Sequence, residues 1–285
     1  MVEWRQRVKR LMSEASRRDE TGERTEPVGG LSALDRYRFD LAGYLVFEEV
    51  LDRPTVERLR SVIDSRGLPP AGETIQRQRF GQAGQMLDWD PGFCDLIDHP
   101  LALALIGELI GPYVRLDHAY GITMDPGTSG LGLHGPIEPF DSAQYYVHRM
   151  GVMRCGLLAM SWSLSDGRPG DGGFGCIPGS HRASYPVPAE ADSLVVEVAQ
   201  PAGSLLVFTE ALVHCTIPWR GTDQRCAVLY KYSPSSTAWD AGPAALPEVV
   251  AAMSERQQRF FQPPFVGTSM SSHGAYMNKP PTIDP

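Results

Sequence analysis

The stretch GSLLVFTEALVH, residues 203–214, decides the fold. A glycine turn opens it, an apolar run follows, and a histidine stands at its end. That is the pattern of a short buried strand delivering a polar residue to the rim of a core. Runs of the same kind lie on both sides: YVRLDHAYGITM at 113–124, MRCGLLAMSWSLS at 153–165, GFGCIPG at 173–179, SLVVEVAQ at 193–200 and RCAVLYKYS at 225–233. They are separated by the turn-rich clusters DPGTSG, DGRPGDGG and QPAGS. Short strands between such turn signals predict a β-sandwich or barrel. The fold expected is mainly β with helices, a cupin-like jelly roll or double-stranded β-helix with its core at about 113–236.

Upstream, LSALDRYRFDLAGYLVFEEVLDRPTVERLRSVIDSRG at 31–67 predicts helix, strand, helix. Gly43 ends the first helix, and Pro54 opens the second, whose apolar face carries Val56, Leu59, Val62 and Ile63. LIDHPLALALIGELIG at 96–111 predicts a further apolar helix stopped by Gly111-Pro112. Residues 1–30 are expected to form a polar arm, and residues 31–285 one domain. The tail contributes one helix, LPEVVAAMSERQQRFF at 246–261, with aromatic and apolar residues from Trp239 to Phe265 suited to a homo-oligomer surface or to covering the barrel.

Composition narrows the function. The chain has 285 residues, 42% hydrophobic and 21% charged, as in ordinary globular proteins. A net charge of −8 argues against nucleic-acid and acidic-membrane partners. The basic residues near the N-terminus precede no apolar run, so no secretory signal is read there. Five scattered cysteines without a CxxC pair predict free thiols and a cytoplasmic setting.

Seven histidines are present. Two stand at strand ends, His134 after LGL and His214 after the 203–213 run, where two imidazoles from separate strands can converge on one metal. Neutral imidazole suits Fe(II) and leaves positions open for a co-substrate. Arg225, eleven residues beyond His214, opens an apolar strand; a buried guanidinium there needs a partner, which a bidentate carboxylate ligand would supply, the alternative being a surface salt bridge. Thr216 faces the same way as His214 on an extended chain.

In order and spacing these residues resemble the phytanoyl-CoA dioxygenase family. The matching elements are LHGP at 133–136, MSWSLSD around Trp162, DGGFGCIPGSH at 171–181, the run ending at His214, and Arg225; together they span about residues 40–235. The resemblance implies an Fe(II)- and 2-oxoglutarate-dependent dioxygenase consuming dioxygen and oxidising a small-molecule substrate by hydroxylation, desaturation or cyclisation. It implies His134 and His214 as iron ligands, Arg225 and Thr216 on the distal carboxylate of 2-oxoglutarate, and Trp162 lining that pocket. Gln144 and Tyr145 are assigned to the co-substrate or substrate, and His181 to a structural turn.

One position departs from the pattern. The family's acidic ligand two residues after the first histidine is here Pro136. Three readings follow: Glu138 or Asp141 replaces it, chloride occupies the position as in related halogenases, or the chain is a non-catalytic binding protein. Residues 135–150, GPIEPFDSAQYYVHRM, are the expected lid, with His148 and Arg149 available to an anionic substrate group.

Overall fold

A computed structural model describes residues 31–69, 78–136, 141–149, 151–240, 242–243 and 245–264. The arm at 1–30, Glu138 and Phe265 lie outside the described residues.

Helix α1 (Ala33–Ala42) begins at a Ser32–Asp35 capping box and ends at left-handed Gly43. Strand β1 (Tyr44–Phe47) follows, then α2 (Arg53–Asp64), capped by Asp52 with Pro54 in its first turn. Strand β2 (Gln78–Phe80), a 3₁₀ segment (Gln82–Asp88) and helices α3 (Pro91–Asp95) and α4 (Pro100–Leu109) lead to the long strand β3 (Val114–Met124). Then come β4 (Leu131–His134), β5 (Tyr146–Arg149), β6 (Val152–Cys155), β7 (Leu158–Ser163), β8 (Gly173–Cys176) and β9 (Val196–Glu197). Strands β10 (Leu205–Thr209), β11 (His214–Ile217) and β12 (Arg225–Pro234) complete the sheets, and helices α5 (Pro247–Ala252) and α6 (Glu255–Arg259) close the described chain.

The strands form a six-stranded sheet in the order β1-β10-β7-β12-β3-β2, a four-stranded sheet β4-β11-β8-β9, and the hairpin β5-β6. All pairings among the described strands are antiparallel. This is the jelly roll expected from the sequence. None of the described helices is long and apolar enough to cross a membrane.

The large sheet is covered on both faces, which is why β3, β7, β10 and most of β12 are buried without alternation. Its outer face presents Leu158, Met160, Trp162, Val207, Val228, Tyr230 and Tyr232 to Leu59 and Ile63 of α2 and to the apolar residues of α4. Tyr230 and Tyr232 donate their hydroxyls to the carbonyls of Phe93 and Ile97 (2.7 and 2.8 Å), satisfying two buried phenols while docking the helical layer. The inner face carries Tyr120, Ile122, Ala227 and Leu229 near the 225 end of β12, and Ala159, Leu206 and Phe208 against Phe174 of the small sheet.

Three expectations change in detail. The apolar stretch at 96–111 forms a helix only from Pro100, because His99 caps a fresh start at Leu101. The 246–261 stretch breaks at Met253, where Ser254 and Gln257 form a new capping box. SLVVEVAQ yields only the two-residue β9, since Ala189–Leu194 coils into a 3₁₀ turn.

Trp162 is fully buried on the helix-facing side, 5.0 Å centroid to centroid from His99 in an edge-on contact. Trp162→Ala should therefore destabilise the fold by about 3–5 kcal/mol, the cost of truncating a buried aromatic. Denaturant unfolding of the variant reads this; a loss below about 1 kcal/mol would refute the packing role.

Candidate functional site

Strands β4 and β11 lie side by side in the small sheet, and the register sets His214 directly opposite His134. Their ring centroids are 4.2 Å apart. Each ring is fixed in the same way: Nδ1 of His134 lies 2.9 Å from the Gly132 carbonyl, and Nδ1 of His214 lies 2.7 Å from the Leu212 carbonyl. A carbonyl only accepts, so Nδ1 carries the proton and Nε2 the lone pair in both rings. Paired imidazoles with Nδ1 tied to backbone are the tautomeric state required of metal ligands. Phe174 stacks on His214 at 5.7 Å and Phe208 meets it edge-on at 5.0 Å, excluding water from that ring. Burial holds the His214 imidazole down at about 4, against the opposing pull of Glu210.

The IPGSH turn supports this ladder. Gly179 adopts the left-handed conformation, and the Ser180 hydroxyl accepts from the Val213 amide at 2.8 Å, one residue before His214. His181 is buried, its Nε2 3.2 Å from the Asp40 carbonyl and its ring edge-on to Tyr146.

Arg225 opens β12 in the large sheet, opposite Met124, and is only 8% exposed. Its side chain crosses the space between the sheets. A Cβ at Gly173 would sit 3.0 Å from Arg225 Nε, and Gly173 also has φ +90°, so glycine is needed there on two grounds. Gly173 pairs with Ile217 and Phe174 with Thr216. Arg225 and Thr216 are thereby brought to neighbouring pairs of the small sheet, two residues along β11 from His214.

The structure does not bring Trp162 to this group. It lies on the opposite face of the six-stranded sheet, because β7 alternates and Ser161 and Ser163 occupy the inner positions opposite Leu229 and Ala227. Tyr145 packs over Gly156, where a Cβ would stand 2.4 Å from its Cδ1. Gln144 bonds through its backbone to the Asp141 carbonyl. His148 and Arg149 are exposed on β5. Asp141 is committed elsewhere: Oδ2 accepts from Trp239 Nε1 at 2.8 Å and Oδ1 from the Ala143 amide at 2.8 Å. Among the described residues no group of three histidines, cysteines or acids is arranged to hold a metal, so the candidate donors among them are the two histidines.

Sequence reasoning missed a set of buried charges beside the histidines. Lys231 Nζ lies 2.8 Å from Glu210 Oε1, both residues buried. Burial alone would raise the Glu210 carboxyl, but Lys231, His214 and His118 bring it down to about 2. Asp117, with no exposed surface, bonds His118 Nδ1 at 2.9 Å and accepts the backbone amides of Trp239 and Asp240. The signal was available: Lys231 and Glu210 are lone charges inside apolar runs, which is costly unless they are paired or used.

No protein-family profile matches the chain, and no curated protein matches it by sequence. Solved structures do. HygX from Streptomyces hygroscopicus, solved with nickel and 2-oxoglutarate bound, is 25% identical with a TM-score of 0.64, over 73% of this chain and 89% of that one. The same protein has been solved with nickel, 2-oxoglutarate and hygromycin B bound, at 25% identity, a TM-score of 0.63 and the same coverage. SnoK, a non-heme alpha-ketoglutarate-dependent carbocyclase from nogalamycin biosynthesis, shares the fold at 18% identity and a TM-score of 0.57, over 79% of this chain and 92% of that one.

Three buried imidazoles, His99, His181 and His214, are each depressed from 6.5 to about 4, mainly by burial. The unfolded chain therefore binds more protons than the folded one between about pH 6.5 and 4. Stability is full above that window and falls as the pH drops through it, by several kcal/mol in total. Urea midpoints of the metal-free protein at about pH 7, 6 and 5 check the slope; a flat profile would sink the assignment.

Proposed function

We propose that this chain is an Fe(II)- and 2-oxoglutarate-dependent oxygenase acting on a small organic molecule, following the pattern of the phytanoyl-CoA dioxygenase family. The observation that carries the proposal is the His134–His214 pair, held in one register with both Nδ1 atoms tied to backbone carbonyls. The likeness to HygX, solved with iron bound and with 2-oxoglutarate bound, supports it.

The residues fit iron and a keto diacid. His134 and His214 would hold the iron through Nε2. Arg225, with Thr216 beside it, would hold the far carboxylate of a dicarboxylic keto acid. Two residues of extended chain separate His214 from Thr216, roughly 7 Å, a span suited to a five-carbon diacid. Bound together, iron and 2-oxoglutarate supply the activation of dioxygen, with the keto acid oxidised to succinate and carbon dioxide as the substrate is oxidised. The protein's part is placement and exclusion: the Nδ1 bonds fix the ligands, Phe174 and Phe208 keep water from His214, and Arg225 sets the orientation of the diacid.

A second reading, halogenation, is favoured by Pro136, which offers no carboxylate where the family pattern has one. Chloride would restore the lost negative charge at that position.

Anaerobic titration with Fe(II) and 2-oxoglutarate should give the visible metal-to-ligand charge-transfer band, and His214→Ala should abolish it. Arg225→Gln should weaken 2-oxoglutarate binding at least about thirtyfold, equivalent to about 2 kcal/mol. A band that shifts with chloride would favour halogenation over oxygenation. Absence of any band in the wild type would overturn the proposal.

A further inference from the structure

At the opposite end of β12 from Arg225, six residues and roughly 20 Å along the strand, a second cluster occupies the inner side of the large sheet. Lys231 stands opposite His118 across the β12–β3 ladder. Asp117 is the extra residue where the register shifts between Lys231 and Tyr232, and this bulge turns its carboxylate into the fold. That carboxylate fixes His118 through Nδ1 and seats the chain at Trp239–Asp240. The His118 ring is layered between Tyr120 (5.7 Å, 8° between planes) and Trp239 (5.4 Å, 26°). Trp239 is 44% exposed and is tied by its indole N–H to Asp141 in the segment leading to β5. Lys231 Nζ stands 5.5 Å from the Trp239 ring and 2.8 Å from Glu210. Glu210 lies four residues before His214 and acts electrostatically on it.

Two atoms of this cluster have capacity left. Glu210 Oε1 is buried and is met among the described residues by the Lys231 ammonium alone, at 2.8 Å, which leaves its second lone pair open. His118 Nδ1 is engaged by Asp117, and its Nε2 has no hydrogen-bond partner among the described residues. A buried carboxylate oxygen left short of donors is costly, and a ligand donor would offset that cost.

Resting on the oxygenase reading of the adjoining histidines, we propose that this cluster is the substrate subsite and that it takes a polyhydroxylated ring, a sugar or cyclitol. The groups present are an ammonium with only donors, a carboxylate with only acceptors, and an imidazole nitrogen. Adjacent hydroxyls on a ring donate and accept at once and satisfy such a set together. Trp239 offers a flat, half-open aromatic face for the C–H side of the ring. A hydrocarbon or fatty acid would desolvate Lys231, Glu210 and His118 without replacing their hydrogen bonds. Phosphorylated ligands would meet Glu210, Asp117 and Asp141.

The test is saturation-transfer NMR on the full chain without iron, using methyl α-glucopyranoside, sucrose and myo-inositol against octanoate and palmitate. The sugars should receive transfer and the fatty acids none. Trp239→Leu and His118→Leu should each weaken sugar binding about tenfold or more, with Trp239→Phe retaining most of it and far-ultraviolet dichroism checking the fold. Transfer to the fatty acids alone, sugar binding indifferent to both leucine variants, or no binding by any of the panel would each overturn the subsite. The iron and 2-oxoglutarate band is read separately: its absence while sugar transfer persists would strike the oxygenase reading and not the subsite.

Discussion

The antiparallel ladder between β11 and β4 is the constraint on which the rest depends. It sets His214 opposite His134, and the carbonyls of Leu212 and Gly132 then fix both rings in one tautomer. A slip of one residue would turn His214 out of the space between the sheets and bring Cys215 in. The IPGSH turn guards against that slip, because Ser180 binds the amide of Val213 and Ile177 donates to the Val213 carbonyl. What reads in the sequence as a tight turn is mechanically the clamp on the strand bearing the second histidine.

The space between the sheets is also unusually polar for a core. Arg225, Glu210, Lys231, His118, Asp117 and His214 are all less than a tenth exposed. Such burial is expensive, and full replacement by apolar residues is often neutral or stabilising in other cores. Its concentration on the inner face, while the outer face is closed by aliphatic and aromatic packing, separates the two tasks of the large sheet. One face holds the helices; the other gathers the buried charges. The Asp117 bulge makes the division possible near the start of β3, since it shifts the alternation so that Leu116 packs outward with Tyr232 while His118 faces inward.

The same two-sidedness explains where sequence reasoning succeeded and where it stopped. The glycine- and proline-punctuated runs predicted the strands, because short apolar segments between turns have few other ways to bury themselves. His134, His214, Thr216 and Arg225 were legible because strand ends and lone charges in apolar runs are local features. Trp162 was not placed correctly: β7 is buried on both faces, and its alternation of Leu158, Met160 and Trp162 with Ala159, Ser161 and Ser163 does not say which set meets the helices. Asp141 is near the histidines in sequence terms, yet its carboxylate is taken by an indole 98 positions away.

By itself the sequence determined a jelly roll, two histidines at strand ends, and an arginine with its threonine at a fixed distance beyond, since each follows from local periodicity, turn chemistry and spacing. Only the tertiary structure decided that the two histidines share one rung, that Gly173 makes room for Arg225, and that Lys231, Glu210, His118 and Trp239 gather in one place. Those residues come from β12, the β10–β11 turn, β3 and the tail. Chain separations of that size are fixed by how the sheets stack and where a single bulge falls, and neither is written in any one segment.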